Sequence, residues 1–200
     1  MKYTNRNVFD EKQYGLDAKS CLAQRKKASM PPIIIDLRKP EEYAAKHLVG
    51  AHSLPAAYLK DYIKQLPPYG KIIFYADSDE VAIESVKLLS ENNFNNLKYV
   101  VGGYEKIEEA LKAADDEIFL SDFERKDWET QVERVLTDRV RPMLAADGGG
   151  LKMEKMDGAK VYIHYEGACS GCPSAKTGTL NFIRNTLSIS LNHDLEVEIA

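Results

Sequence analysis

Two of the three cysteines in this 200-residue chain stand three positions apart, in Gly167-Ala168-Cys169-Ser170-Gly171-Cys172-Pro173-Ser174. Two thiolates at that spacing can hold one metal ion or one edge of a cluster, whereas structural zinc and the common iron–sulfur centres take four protein ligands. The third cysteine, Cys21, lies far off in sequence and cannot complete the set alone. Four equivalent thiolates arise most simply when two copies of the chain meet at this loop across a two-fold axis. Gly167, Ala168, Ser170 and Gly171 are small, so backbone N–H groups can come close to a bulky anionic ligand. Pro173 suits the first position of a helix, whose positive end would favour the deprotonated thiols. The spacing by itself leaves other chemistries open: a zinc half-site, a dithiol that cycles to a disulfide or carries persulfide sulfur, and plain packing.

The elements around this loop read as a small unit of its own. Val132, Val135, Leu136 and Val140 form the apolar stripe of a long helix. Asp147-Gly148-Gly149-Gly150 lacks the lysine and the preceding strand of a phosphate loop, so it reads as the end of that helix, with glycine in the left-handed conformation. Two strands around Lys155-Met156-Asp157-Gly158 follow, with Asp157-Gly158 as the turn of an antiparallel-looking pair. His164 alternates with Ile163 and Tyr165 and is expected on the solvent side, not as a ligand. A helix through Leu180, Ile183 and Leu187 and a last strand through Leu195, Val197 and Ile199 complete the set.

On the helix stripe, the Arg141-Pro142-Met143-Leu144 step, Asp147-Gly148-Gly149 and the loop GACSGCPSAKTGTL, the chain from about Glu129 onward resembles the C-terminal domain of NifU, the Nfu domain. Where that family often has a polar residue after Asp-Gly-Gly, this chain has Gly150. The resemblance implies a homodimer that bridges one [4Fe-4S] cluster through Cys169 and Cys172 of each subunit. It also implies exchange with cluster-assembly machinery and delivery to recipient apoproteins.

The first half alternates short apolar runs, Ile33-Ile34-Ile35-Asp36-Leu37, Ile72-Ile73-Phe74-Tyr75 and Leu97 to Val101, with helical patterns over 56–66, 80–92 and the stretch after Gly102-Gly103. That alternation predicts an α/β domain with a parallel sheet. On Ile35-Asp36-Leu37-Arg38, Glu41-Glu42-Tyr43, His47, Gly50-Ala51-His52, Leu54-Pro55 and Val101-Gly102-Gly103-Tyr104 it resembles a single rhodanese domain. In that fold His47 and His52 are expected to pack and to support loops. An active rhodanese carries a cysteine directly after the strand ending at Tyr75, in a C-x-x-G-x-R loop. Here the loop is Ala76-Asp77-Ser78-Asp79-Glu80-Val81, without nucleophile, glycine or arginine, and its carboxylates repel anions. No sulfurtransferase activity is expected, and Cys21 has nothing near it in sequence to activate it. The domain is expected to act as an interaction module.

The resulting division is an N-terminal extension over 1–30, in which 17–28 can form a helix bearing Cys21, a rhodanese-like domain over 31–114, a polar linker over 115–127 and an Nfu-like α+β domain over 128–200. Composition sets the outer bounds. With 44% hydrophobic and 29% charged residues the chain can build two small cores, and no run is apolar enough to cross a bilayer. The start, MKYTNRNVFDEKQYG, lacks the apolar core of a signal peptide, so a cytoplasmic protein is expected. A net charge of −4 with no concentrated basic face argues against nucleic-acid binding. Arg25-Lys26-Lys27 reads as a solvated helix end. The expected function is an iron–sulfur cluster scaffold or carrier, not an enzyme, with a thiol–disulfide or persulfide relay through Cys169 and Cys172 as the alternative and a zinc-holding adaptor as a third reading.

Overall fold

The computed structural model describes residues 11–26, 31–171 and 177–200. The chain divides between Ala113 and Ala114 into two compact units.

In the first unit, α1 (Glu11–Tyr14), β1 (Gly15–Leu16), α2 (Ala18–Arg25), β2 (Ile33–Asp36), α3 (Pro40–Ala45), β3 (His52–Ser53), α4 (Leu59–Tyr62), β4 (Ile72–Tyr75), α5 (Asp79–Glu91), β5 (Leu97–Val100) and α6 (Gly103–Lys112) follow in order. The five strands lie in the order β1-β5-β4-β2-β3, with every neighbouring pair parallel. All four residues of β4 are buried, because successive side chains leave the sheet on opposite faces and both faces are covered. Ile73 and Tyr75 pack with α2 and α6 through Cys21, Leu22 and Ile107. Ile72 and Phe74 face the other core, with Leu59, Val86 and Leu89. The helical pattern over 56–66 is broken here into a 3₁₀ turn at Ala56–Tyr58, α4 and a second 3₁₀ turn at Ile63–Gln65.

Residues 11–26, the described part of the segment expected to be an extension, belong to this unit. Asp17 caps α2, accepting from the Ser20 N–H at 2.9 Å, and Cys21 and Leu22 are core residues. Gly15 and Leu16 pair with Tyr99 and Val100 and so add the outermost strand. Arg25 is not solvated: its guanidinium is buried and donates to the Val49 carbonyl at 3.1 Å.

The second unit is α+β. It contains α7 (Trp128–Val135), α8 (Arg141–Ala146), β6 (Gly149–Asp157), β7 (Lys160–Gly167), α9 (Gly178–Leu191) and β8 (Glu196–Ile199). A π-helical turn, Leu136–Val140, joins α7 to α8. Pro142 brings no N–H to the ladder and Arg141 reaches back to the Leu136 carbonyl, so the wide turn lets the helix pass the proline. The sheet order is β6-β7-β8, and the sheet is mixed: β6 runs antiparallel to β7, while β8 lies parallel to it. Gly158-Ala159 forms the tip of the hairpin, one residue on from the expected turn, with Gly158 at φ +59° and Asp157 paired to Lys160.

The polar stretch 115–127 packs on this unit. Leu120 is fully buried in the second core and Ile118 lies against it. Asn192, in the left-handed conformation at the end of α9, donates to the Ile118 carbonyl at 3.1 Å and to Glu117 at 2.7 Å.

Candidate metal centre

The cysteine loop begins at the open end of the β6–β7 hairpin. Gly149 and Gly167 are its last paired residues. Gly167 turns at φ +59°, where a side chain would also press to 2.6 Å from the Gly148 carbonyl oxygen. The next N–H, of Ala168, donates to that same carbonyl at 3.0 Å. A 3₁₀ turn, Ala168–Gly171, then carries Cys169, and the Ser170 hydroxyl donates to the Gly167 carbonyl at 2.9 Å, which ties the turn to the strand end.

Cys169 is partly buried against the second core, directly over Gly149. A Cβ built on Gly149 would overlap Cys169 Sγ and would lie 3.4 Å from Cys169 Cβ and N. Tyr165, two residues before the turn, is buried, and that burial, with a smaller contribution from Cys169, pushes its phenol up to about 12. Cys172, Pro173 and the helix start expected there lie outside the described residues; the described helix α9 begins at Gly178. His164 is exposed between buried Ile163 and Tyr165, as the alternation requires. Among the described residues, no group of three or more His, Cys, Asp or Glu side chains could hold a metal ion.

Cys21 is a different thiol. It is fully buried and burial pushes its pKa up to about 12, so the neutral form is strongly favoured.

The loop after β4 has a frame but no nucleophile. Ala76 is buried, and its carbonyl accepts the Tyr104 N–H at 3.3 Å, while Gly103 sits so close that a side chain there would overlap the Ala76 oxygen. Asp79 Oδ1 accepts the Gly102 N–H at 2.8 Å. The Glu80 carboxylate accepts from its own backbone N–H and from the Ser78 hydroxyl, which hold its pKa below the usual carboxylate range. Partial desolvation, then the facing Glu42 carboxylate, raise the pKa of Asp77. Two backbone donors at this loop, the Gly102 and Glu80 N–H groups, are therefore taken by the chain's own carboxylates.

Beside this loop stands a pair that the spacing of residues does not single out. Asp36, fully buried, takes Arg38 in a two-pronged ion pair, Nη2 to Oδ2 at 2.7 Å and Nε to Oδ1 at 3.0 Å. The guanidinium also donates to the Lys46 carbonyl and lies 3.9 Å from the centre of the Tyr104 ring. His47 stacks on Tyr43 with ring centres 3.9 Å apart, and His52 is exposed on the short β3.

The NifU-like domain family matches residues 132–198, and the rhodanese-like domain family matches residues 18–110. The nitrogen fixation protein NifU of Anabaena sp. (strain L31) is 41% identical over 68 residues, covering 34% of this chain and 60% of that protein. The mitochondrial NFU1 iron-sulfur cluster scaffold homolog of Drosophila willistoni is 26% identical over 166 residues, 81% of this chain and 55% of that protein. This chain thus spans at most 60% of the length of these two relatives. A solution NMR structure of a rhodanese-like domain from Anabaena sp. is 24% identical, with a TM-score of 0.44, over 48% of this chain and 73% of that one. The chain is a fusion in which a rhodanese-like domain over residues 18–110 precedes a NifU-like domain over residues 132–198.

Proposed function

We propose that the protein is a scaffold and carrier for iron–sulfur clusters, with Cys169 and Cys172 as the ligands of a [4Fe-4S] cluster shared between two copies of the chain. The observation that carries this reading is the seat of Cys169: a partly exposed thiol at the open end of a hairpin, lodged over Gly149, whose missing side chain makes room for the sulfur. The similarity to NifU and to the NFU1 scaffold homolog supports the same reading. The cluster is cargo, passed to recipient apoproteins, and the chain performs no turnover chemistry of its own. The rhodanese-like domain serves as an interaction module, a reading supported by a loop that has Ala76 in place of a nucleophile and in which Asp79 already binds the Gly102 N–H.

Anaerobic reconstitution with iron and sulfide, followed by iron and sulfide analysis, Mössbauer spectroscopy and sedimentation, tests the proposal. The expected product is a brown dimer with one [4Fe-4S] cluster per two chains, formed from a lighter apo species because half of the ligands come from each chain. A colourless protein holding zinc tightly, or a cluster on a strict monomer, overturns it.

A further inference from the structure

Three consecutive glycines precede the centre of β6, and a side chain would find different surroundings at each. Gly148 adopts φ +70°, and a Cβ there would meet nothing within 4 Å. At Gly150 a Cβ would meet Glu166 Cβ at 3.5 Å, an ordinary contact. Gly149 is not among the residues with positive φ, so its backbone accepts a side chain; the atom that excludes one is Cys169 Sγ.

We propose that Gly149 is a positioning residue: its missing side chain admits the rotamer of Cys169 seen here, and with it the direction from which that thiolate meets a cluster. This rests on the reading of Cys169 as a ligand. A methyl group at residue 149 leaves Cys169 Cβ and N at a tolerable 3.4 Å but drives the sulfur out of its well. The next staggered well moves the sulfur by about 3 Å. Metal–sulfur bonds of about 2.3 Å tolerate about 0.2 Å, so a displaced sulfur is no longer a ligand from the same position. The backbone is untouched by this account. Ala168 N–H still reaches the Gly148 carbonyl, and the Gly149–Gly167 rung still closes.

The test compares Gly149→Ala and Gly150→Ala in the full chain. In reduced apo protein, iodoacetamide alkylation of Cys169, resolved from the other thiols by peptide mass spectrometry, is expected to quicken at least about threefold in Gly149→Ala as the sulfur leaves its notch. Gly150→Ala is expected to match wild type. After reconstitution, Gly149→Ala should retain about tenfold less cluster than Gly150→Ala, since a ligand is misplaced. An unchanged Cys169 alkylation rate in Gly149→Ala, or the same change in both variants, overturns the proposal whatever happens to the cluster. If wild type takes up no cluster, the carrier reading falls, while the alkylation rates still decide the role of Gly149. If Gly149→Ala fails to fold, the same substitution is made in a Cys169→Ala background. Recovery of the fold there supports a clash with the sulfur, and failure in both backgrounds overturns it.

Discussion

Each unit brings a strand to an end in a tight loop, β4 into Ala76 and Asp77 and β7 into Ala168 and Cys169, and the two loops use their glycines in opposite ways. In the first, Gly102 and Gly103 let the backbone close on itself: Gly103 presses on the Ala76 carbonyl, and the Gly102 N–H is spent on Asp79. In the second, Gly149 opens a space, and a thiol occupies it. The first loop is thus closed on its own carboxylate with alanine at its head, whereas the second presents a thiol. The cysteines make the same contrast. Cys21 belongs to a core and is held neutral, whereas Cys169 stands at an edge.

The contrast breaks most sharply at the thiols. Cys169→Ala and Cys172→Ala are each expected to abolish cluster retention after reconstitution, and Cys21→Ala to leave it near wild type, as read by iron content and visible absorbance. A cluster lost as completely from Cys21→Ala as from the pair would show that the four-thiolate dimer is wrong.

Next in size is a stability effect confined to the first unit. Arg38→Ala strands the buried Asp36 carboxylate, a loss expected to cost about 3–5 kcal/mol. Trp128 is the only tryptophan and lies in the second core, so its fluorescence follows that unit, while circular dichroism follows both. Urea unfolding should show the early transition in circular dichroism with the Trp128 transition in place. Coincident shifts in both signals would mean that the two units unfold as one.

A smaller effect separates Cys21 by pH. Its pKa rises from 9.0 to about 12 in the folded state because burial disfavours the thiolate, so the unfolded chain releases this proton first. The stability it contributes is full below about pH 9 and is lost as the pH climbs toward about 12. Cys21→Ala should lower the urea midpoint near neutrality by an amount equivalent to about 1 kcal/mol, and should lose less than wild type between about pH 8 and about pH 10.5. Parallel pH profiles would contradict the burial account.

The smallest expected effect is none at all. Ala76→Cys should show no measurable thiosulfate:cyanide sulfurtransferase activity, because the new thiol meets a loop whose Gly102 donor already binds Asp79 and whose flanking carboxylates repel the donor anion. Adding Asp79→Gly and Val81→Arg rebuilds the lost positions together. Robust turnover by the single substitution would falsify the view that this loop lost its function as a unit.

Much of the architecture was legible in the residues. The continuous apolar runs in Ile33–Asp36 and Ile72–Tyr75 stand out by composition, and the helix stripe from Val132 and the alternation around His164 by their period. What could not be read is decided by distant partners. A two-residue strand, Gly15-Leu16, has no period to detect and exists because Tyr99 and Val100 pair with it. Leu120 ends a run of only three apolar residues, Ile118-Phe119-Leu120, in a charged stretch, and its segment is tied down by Asn192, more than seventy positions on. The Asp147-Gly148-Gly149-Gly150 run was visible as a helix end, which Gly148 fulfils at φ +70°. The separate task of Gly149 was not, since only the folded chain brings Cys169 over it.

The hairpin that ends in this pair has a kinetic consequence. Its eight rungs run from the Gly158-Ala159 tip to the Gly149–Gly167 pair. The terminal rung joins two residues with no side chains to pack and the most backbone freedom to regain, so thermal fraying is expected to start there and to fade toward the middle of the strand. Amide exchange should form a gradient along β7, fastest at Gly167 and slowest near Ile163. On the carrier reading proposed above, unzipping of a few rungs would free the seat of Cys169 while the core around Leu187 and Val197 stays folded, so release is expected to be a local event.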